Sequence, residues 1–400
     1  MLVPLCGESC NCIYDINPLC EDSCKFQLTT SNVQLSNAPT TFAAMPNSVF
    51  DHMQAMGHEQ LVFCQDPHSG LSAIIAIHNT TLGPALGGTR LWPYNSHEDA
   101  VIDALRLSRG MTYKAAISDL NLGGGKAVIV ADPSKKSEAL WRRYGKFVDS
   151  LNGKYITAED VNTSARDMEY IAMETEHVTG VPEYMGGSGD PSPFTAYGVF
   201  VGMRAAAKKQ WGSDDLSGKK VLVQGVGHVG QYLVGHLVKA GAKVYITDIN
   251  ASRIAETVQQ YRGVEVVDGA GIFDMDLDVY APCALGATVN DDAIKRLKAP
   301  VIAGAANNQL ADENIHGPAL VKKGVLYVPD FLINAGGLIN VAAELETYNA
   351  ERVKGNVEKI YDRTLEIFDL AEKEGIHTQA AAMKIAEKRL QDIANVKARL

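Results

Sequence analysis

Apolar runs mark the first regular elements of the chain after residue 60. Residues 61–64 and 72–77 are largely apolar, and the polar stretch between them, residues 66–70, contains a proline and a glycine. Runs of this kind separated by turn-forming residues predict strands. We therefore expect two strands joined by a short turn near the start of the folded region, which should begin near Met45.

A helical pattern follows these strands. Ser96 and Asp99 have the spacing of a helix-capping signature. Four residues then recur on one helical face: Val101, Ala104, Leu105 and Ser108. This periodicity predicts an amphipathic helix that carries the chain towards Lys114.

The second half of the chain alternates between strand and helix patterns. It follows a Gly-, Ser- and Pro-rich stretch at residues 186–193, where we expect a domain boundary. The predicted elements are strands at 220–224, 243–247, 278–281, 300–303 and 325–328, with helices at 228–239 and 251–260. Such alternation predicts an α/β fold with a doubly wound parallel sheet. Residues 344–400 are predicted to be helical and mostly solvated.

Composition and charge argue against two classes of binding partner, nucleic acids and membranes. Of the 400 residues, 46% are hydrophobic and 21% are charged, which is typical of a globular protein of two domains. The formal charge of −10 comes without a block of Lys and Arg, which argues against a nucleic-acid partner. The apolar runs are far shorter than the roughly 20 residues that a membrane span needs. We expect neither nucleic-acid nor membrane binding.

Cysteines are concentrated at the start of the chain. Cys6, Cys10, Cys12, Cys20 and Cys24 precede residue 25, and only Cys64 and Cys283 follow. Two isolated cysteines in a large body are typical of a reducing, cytoplasmic protein. The early cysteines match no common metal-binding spacing and lack His, so a zinc knot is the weaker interpretation and no metal site is expected. Residues 1–44 are interpreted as a disordered tail, without the features of a signal peptide or mitochondrial presequence, whose removal should leave activity intact.

A glycine-rich fingerprint follows the predicted strand at 220–224. The segment Gly225-Val226-Gly227-His228-Val229-Gly230 has the G-x-G-x-x-G spacing and opens a predicted helix. In a Rossmann domain these glycines allow a tight turn, close approach of the diphosphate, and helix–strand packing. Asp248 ends the next strand, where a carboxylate binds the ribose hydroxyls and favours NAD over NADP, although Arg253 is nearby. The context predicts NAD binding rather than an unrelated glycine turn.

Two lysines and an aspartate are candidates for the chemistry. Lys114 ends Gly-Met-Thr-Tyr-Lys, Lys126 ends Gly-Gly-Gly-Lys where a glycine-rich bend enters a short strand, and Asp160 ends Thr-Ala-Glu-Asp. Two lysines in one cleft can divide tasks, because burial and a second cation lower the pKa of one of them towards that of a base. A carboxylate can exchange protons with an amine. The alternatives are that the lysines are solvated and that Asp160 caps a helix beginning near Asn162.

These motifs together identify a family resemblance. The chain resembles the glutamate/leucine/phenylalanine/valine dehydrogenase family, and the leucine dehydrogenases in particular. The resemblance rests on residues 80–90, 110–114, 123–126, 157–160, 225–230, 305–310 and 334–337, which occur in the family's order over residues 45 to about 390. It implies a substrate-binding and oligomerisation domain at 45–185, an NAD-binding Rossmann domain at 186–343, and a helical segment at 344–400 that returns to the first domain. A cleft that closes is implied between the two domains.

The resemblance also implies residue roles. Lys114 would hold the substrate carboxylate, Lys126 would activate water, and Asp160 would handle protons at the amine. Gly87 and Gly88 would line the substrate site. Thr195 and Asn308 would lie near the nicotinamide, and the enzyme would be a homo-oligomer, since leucine dehydrogenases are typically octamers.

The expected substrate is a branched-chain L-amino acid, converted to its 2-oxo acid, ammonia and NADH. Leu86 stands where glutamate-specific relatives carry a lysine, so a distal carboxylate would be unpaired there. The expected side-chain pocket consists of Leu86, Ala158, Leu338 and Val341. By the same resemblance Leu338 leaves phenylalanine open as an alternative, and residues 123–126 with 333–341 leave tryptophan open, since one methylene discriminates by only ~1–3 kcal/mol. A non-catalytic NAD-binding sensor is the alternative from a different class, and the presence of both lysines and Asp160 argues against it.

Overall fold

The computed structural model of the chain describes residues 48–284 and 286–398. The predicted tail at residues 1–44, with its five cysteines, lies outside the described residues. Two β-sheets organise the rest of the chain. The strands are β1 Gln60–Asp66, β2 Leu71–Asn79, β3 Ala85–Trp92, β4 Gly123–Val130, β5 Tyr155–Glu159, β6 Lys220–Gln224, β7 Lys243–Thr247, β8 Glu265–Val266, β9 Val279–Pro282, β10 Val301–Ile302 and β11 Leu326–Tyr327.

Helices cover both sheets and form the C-terminal region. They are α1 Val49–Met56, α2 His97–Ile117, α3 Glu138–Asp149, α4 Ala165–Ala172, α5 Ser192–Trp211, α6 His228–Lys239, α7 Ala251–Gln260, α8 Asp291–Arg296, α9 Glu313–Lys323, α10 Asp330–Ile333, α11 Gly336–Ala342, α12 Ala350–Glu358, α13 Ile360–Glu374 and α14 Thr378–Lys397. No helix in this described part is long and apolar enough to cross a membrane.

The first sheet has the order β1-β2-β4-β3-β5. The two predicted strands, β1 and β2, form an antiparallel pair, while β3 lies parallel to both β4 and β5. α2 covers this sheet as its periodicity predicted: Ser96 caps it by accepting a hydrogen bond from the Asp99 backbone N–H at 3.0 Å, and Ala104 and Leu105 are fully buried. Lys114 lies in the last turn of α2, where the helix packs against the glycine-rich start of β4.

The second sheet has the order β11-β10-β9-β6-β7-β8, with every pair parallel. This is the strand order of a Rossmann fold, and it confirms the predicted doubly wound sheet. The helices predicted at 228–239 and 251–260 match α6 and α7. The last two strands are shorter than predicted, because only two residues of each form the ladder.

The glycine run before Lys126 differs from its prediction. We expected a bend leading into a strand, but Gly123, Gly124 and Gly125 already belong to β4. A Cβ at Gly124 would lie 2.2 Å from the backbone N of Thr112 in α2. Glycine is therefore needed for close approach of helix and strand rather than for a turn.

The C-terminal helices agree with their prediction: they are helical, and most of their residues are at least partly exposed. Their buried face includes Val353, Val357, Ile367 and Phe368. α13 packs against α5 and α14 packs against α2, so the C-terminal region contacts elements of both halves of the chain.

The predicted boundary at residues 186–193 is attached to this C-terminal region. The Glu344 carboxylate accepts hydrogen bonds from the backbone N–H groups of Gly180 and Ser188, both at 2.9 Å. It also accepts one from the Ser188 hydroxyl. One carboxylate therefore contacts two points of the connection that leads from α4 to α5.

Candidate active site

A cavity of about 360 Å³ lies where the first sheet meets α5, α6 and α11. Both candidate lysines and the candidate aspartate line it, together with an apolar wall. Its lining residues are Leu86, Gly87, Gly88, Met111, Lys114, Lys126, Ala158, Glu159, Asp160, Pro191, Thr195, Val229, Ala305, Asn307, Asn334, Gly337, Leu338 and Val341. Most of the residues expected at the site thus meet in one place.

Glycines bring the charged residues together. The close contact between α2 and β4 at Gly124 places Lys114, on the helix, beside Lys126, on the strand. A Cβ at Gly87 would lie 1.7 Å from the Gly125 carbonyl oxygen, and one at Gly88 would lie 2.9 Å from the Asp160 Cβ. The two glycines line the cavity as expected, and they also allow β4 and Asp160 to approach β3.

Asp160 is held between two cations. Its Oδ1 lies 2.7 Å from Lys126 Nζ, and its Oδ2 accepts a hydrogen bond from Arg90 Nε at 3.0 Å. Burial alone would raise the pKa of Asp160, but the two cations outweigh it and lower that pKa to about 2. The alternative that Asp160 caps a helix is wrong, because α4 begins at Ala165 with Ser164 as its cap.

Lys114 faces the loop between β10 and α9. Its Nζ lies 3.5 Å from the side-chain oxygen of Asn307. Burial lowers the pKa of Lys114 to about 8; nearby Asp330 opposes this shift and Lys126 adds to it. Lys126 is more deeply buried, with 4% of its surface exposed. Both lysines thus lie in a poorly solvated cleft, where the positive charge of Lys126 contributes to the lowered pKa of Lys114.

Two asparagines complete this side of the cavity. Asn334 Nδ2 donates to the Asn307 side-chain oxygen at 2.7 Å and to the Ala305 carbonyl at 3.0 Å. Asn307 lines the cavity, whereas its neighbour Asn308, the expected residue, lines the adjoining cavity and has a φ of 51°. The sequence Asn307-Asn308 indicated that this loop belongs to the site. It could not show which of the two side chains lines the cavity, because that depends on the backbone geometry of the loop.

The wall opposite the charged groups is apolar. The four expected pocket residues, Leu86, Ala158, Leu338 and Val341, line it and are each at most 8% exposed. Met111 joins them from α2. Met111 belongs to the motif at residues 110–114 but was not predicted to line the pocket. Its position three residues before Lys114, on the same helical face, is the signal that could have indicated this.

The glycine-rich turn before α6 has the shape of a dinucleotide site. Gly225 has a φ of 100°, and a Cβ at Gly230 would lie 2.1 Å from the Gly225 carbonyl oxygen. A Cβ at Gly227 would meet nothing closer than the Arg253 guanidinium at 3.7 Å. Gly227 precedes His228, the first residue of α6, and no side chain caps the helix. Free N–H groups at a helix start next to open space fit a diphosphate.

The remaining cofactor candidates surround this turn. Asp248 accepts hydrogen bonds from the backbone N–H groups of Val226 and Asn250, both at 2.8 Å, so its carboxylate is fixed at the end of β7. Val229, in the first turn of α6, and Thr195 line the cavity that holds the lysines. The glycine turn and the cavity are therefore adjacent, as a hydride transfer between cofactor and substrate requires.

Models of two domains from one family match the chain. The Glu/Leu/Phe/Val dehydrogenase dimerisation domain matches residues 58–177. The glutamate/leucine/phenylalanine/valine dehydrogenase domain matches residues 186–257 and 245–397. The matches cover the first sheet, the second sheet and the C-terminal helices.

Individual proteins agree with these matches. The chain is 56% identical to a leucine dehydrogenase from Thermoactinomyces intermedius, over 86% of this chain and 93% of that protein. It is 48% identical to a phenylalanine dehydrogenase from Caldalkalibacillus thermarum, over 88% and 96%. The crystal structure of L-tryptophan dehydrogenase from Nostoc punctiforme matches with a TM-score of 0.76 at 46% identity, covering 87% of this chain and 99% of that one. This chain therefore belongs to the glutamate/leucine/phenylalanine/valine dehydrogenase family and is an amino-acid dehydrogenase.

Proposed function

We propose that this protein catalyses the reversible, NAD-dependent oxidative deamination of a branched-chain L-amino acid. Leucine is the expected substrate, with valine and isoleucine also accepted, and the products are the 2-oxo acid, ammonia and NADH. The observation that carries this proposal is the cavity itself. It combines two lysines and an aspartate on one side with an apolar wall on the other, next to the glycine-rich turn.

The apolar wall supports a branched aliphatic side chain. Leu86 is 1% exposed and occupies the position where a cation would be needed to pair with the distal carboxylate of glutamate. Among the described residues that line the cavity, Lys114 and Lys126 are the only cations, and both lie on the polar side. A second substrate carboxylate would therefore be buried without a partner, which is costly.

The two lysines have different tasks in this proposal. Lys114, beside Asn307, holds the substrate carboxylate through an ion pair. Lys126 is more buried and acts on the reacting carbon, where it accepts a proton from the water that adds to the imine. NAD, when bound, supplies the acceptor for the hydride that leaves the α-carbon.

Asp160 handles the protons of the amine. Its carboxylate is ionised at neutral pH and can accept a hydrogen bond from the substrate's ammonium group. Its direct contact with Lys126 at 2.7 Å provides a path along which a proton can move between the two groups. In the reverse direction the same carboxylate can accept the proton that the ammonia nitrogen loses after it has added to the 2-oxo acid.

NAD is preferred over NADP in this proposal because of Asp248. A fixed carboxylate at the end of the second Rossmann strand accepts hydrogen bonds from the ribose hydroxyls and repels a 2′-phosphate. Arg253 lies near Gly227, and its positive charge would favour a 2′-phosphate and so reduce this preference. The ratio of kcat/KM with NAD to kcat/KM with NADP measures this cofactor preference directly.

A substrate panel tests the proposed function. The purified chain is assayed for NADH formation with L-leucine, L-valine, L-isoleucine, L-phenylalanine, L-tryptophan and L-glutamate, and leucine should give the highest kcat/KM. A preference for phenylalanine or tryptophan would move the chain to the aromatic branch of the family. Rapid turnover of glutamate would show that Leu86 does not exclude a substrate with a distal carboxylate. NADH binding without any turnover would favour the alternative of a non-catalytic NAD-binding sensor.

We further propose a cytoplasmic homo-oligomer, with an octamer as the expected state. The family model that matches residues 58–177 describes a dimerisation domain. Phe63 on β1, the edge strand of the first sheet, is 61% exposed, and Trp92 at the end of β3 is 46% exposed. Cys64 and Cys283 form no disulfide within the described part of the chain, which fits a reducing compartment. Light scattering on the purified chain measures the subunit number.

A further inference from the structure

Arg90 contacts the catalytic carboxylate from outside the substrate cavity. It belongs to β3, two residues after Gly88, and its Nε donates to Asp160 Oδ2 at 3.0 Å. It does not line the cavity of the two lysines; it lines the two neighbouring cavities of about 660 and 640 Å³. The family motif at residues 80–90 ends on this arginine, but the proposed reaction leaves it without a role.

A chain of hydrogen bonds fixes Arg90 itself. Its Nη1 donates to Asp103 Oδ2 at 2.8 Å, and the hydroxyl of Tyr94 donates to the same oxygen at 2.6 Å. The order of contacts is therefore Tyr94, Asp103, Arg90, Asp160 and Lys126. The guanidinium spans two carboxylates with two different nitrogens, which the single ammonium of a lysine cannot reproduce.

The arrangement leaves each oxygen of Asp160 with its own cation. Arg90 takes Oδ2, so Lys126 meets Oδ1 alone. Without Arg90 the carboxylate could rotate, and Lys126 could bind either oxygen or both. Lys114 on α2 and Glu159 on β5 also influence Asp160. Among the described residues Lys114 forms no ion pair with it, and Glu159 carries a charge of the same sign.

We infer that Arg90 is a positioning residue for the amine chemistry, which orients the Asp160 carboxylate so that one oxygen serves Lys126 and the substrate's nitrogen. This inference rests on the proposed function. It adds a requirement that the proposed function does not contain: a permanent cation must occupy the site behind Asp160, and it must be anchored by Asp103.

Chemical rescue tests this requirement. In Arg90→Ala, kcat for leucine oxidation should fall about 10- to 100-fold, because a charged hydrogen bond to a partly buried carboxylate is lost. The KM for NAD should change little. Guanidinium chloride at a few tens of millimolar should raise the kcat of the variant about tenfold, since the neighbouring cavities give the ion access to the vacated position. Urea, which has a similar shape and no charge, should have no effect.

Arg106 provides the matched control. It also forms an ion pair with Asp103, at 3.3 Å, but it does not contact Asp160. Arg106→Ala should therefore keep kcat within about twofold of the parent, as expected for an exposed ion pair. Arg90→Lys retains the charge without the second contact and should lie between the parent and Arg90→Ala.

The outcomes separate this inference from the proposed function. A parent enzyme that oxidises none of the amino acids refutes the proposed function. An active parent with a fully active Arg90→Ala overturns the inference alone, as does rescue by urea that equals rescue by guanidinium. If Arg90→Ala does not fold, Arg90→Lys and Asp103→Asn decide, because unchanged kcat in both would overturn the inference and lowered kcat with unchanged KM for NAD would support it.

Discussion

The substrate cavity and the turn before α6 are both rich in glycine, but they use it differently. In the cavity region a Cβ at Gly87 or Gly124 would collide with backbone atoms at 1.7 and 2.2 Å, so glycine there brings strands and a helix into contact. At Gly227 a Cβ would meet nothing within 3.7 Å. The cavity depends on the charged side chains that close packing brings together. The turn is also closely packed, at Gly230, but at Gly227 it leaves space free for a ligand.

The first prediction removes the chemistry from the cavity and leaves the turn intact. In Lys126→Ala, kcat should fall about a thousandfold, because general-base catalysis typically contributes a factor of this size. NADH affinity, measured by fluorescence titration, should stay within about twofold of the parent, since the turn is unchanged. Lys388→Ala, at a 74% exposed side chain, is the control. Activity within tenfold of the parent would remove Lys126 from its proposed role.

The second prediction fills the space at the turn and leaves the cavity intact. Gly227→Ala should raise the Kd for NADH about 10- to 100-fold, because a methyl group would occupy the position of the diphosphate. The melting temperature should not fall, since the added Cβ meets only the Arg253 guanidinium. Gly355→Ala in α12, where nothing lies within 4 Å, controls for the loss of a glycine. Unchanged NADH affinity would contradict the assignment of the turn.

The third prediction uses the pH dependence of KM to test whether Lys114 anchors the substrate carboxylate. Burial lowers the pKa of Lys114 to about 8, so the lysine is charged below that pH and becomes neutral above it. The KM for the 2-oxo acid, which has no amine of its own to titrate, should rise about tenfold per pH unit above this value. Lys114→Arg stays charged and should show a flat KM over the same range. A flat KM in the parent would remove Lys114 from the anchoring role.

The fourth and smallest prediction concerns the apolar wall. Val341→Ala enlarges the pocket without changing its polarity, and it should shift the ratio of kcat/KM for phenylalanine over leucine about tenfold towards phenylalanine. Val353→Ala, at a buried site outside the cavity, should lower stability without changing this ratio. If both variants change the ratio equally, the side chain of Val341 does not determine the specificity.

The sequence predicted the second sheet better than the first. Strands and helices alternate regularly after residue 220, and the fingerprint fixes where β6 ends and α6 begins, so those bounds agree with prediction. β3 and β4 have glycines inside them, which lowers their strand propensity. The prediction of β4 therefore lacked the three glycines at its start. The residues of β3 were assigned to a family motif but were not predicted to form a strand.

Contacts across the site were beyond the sequence. Lys114, Lys126 and Asp160 could be proposed as partners from their residue types, and the structure brings all three into one cavity. The Arg90–Asp160 ion pair joins residues 70 positions apart, and it exists because β3 and β5 are parallel neighbours. Strand order is set by long-range packing, which no local pattern records.

A crystal structure of the enzyme with NADH and the 2-oxo acid of leucine tests the central claim most directly. The account predicts the ligand carboxylate within hydrogen-bond distance of Lys114 Nζ, with the carbonyl carbon facing Lys126 and the isobutyl group against Leu86 and Val341. A ligand bound with its carboxylate on the apolar wall, or outside the cavity that the two lysines share, would contradict it.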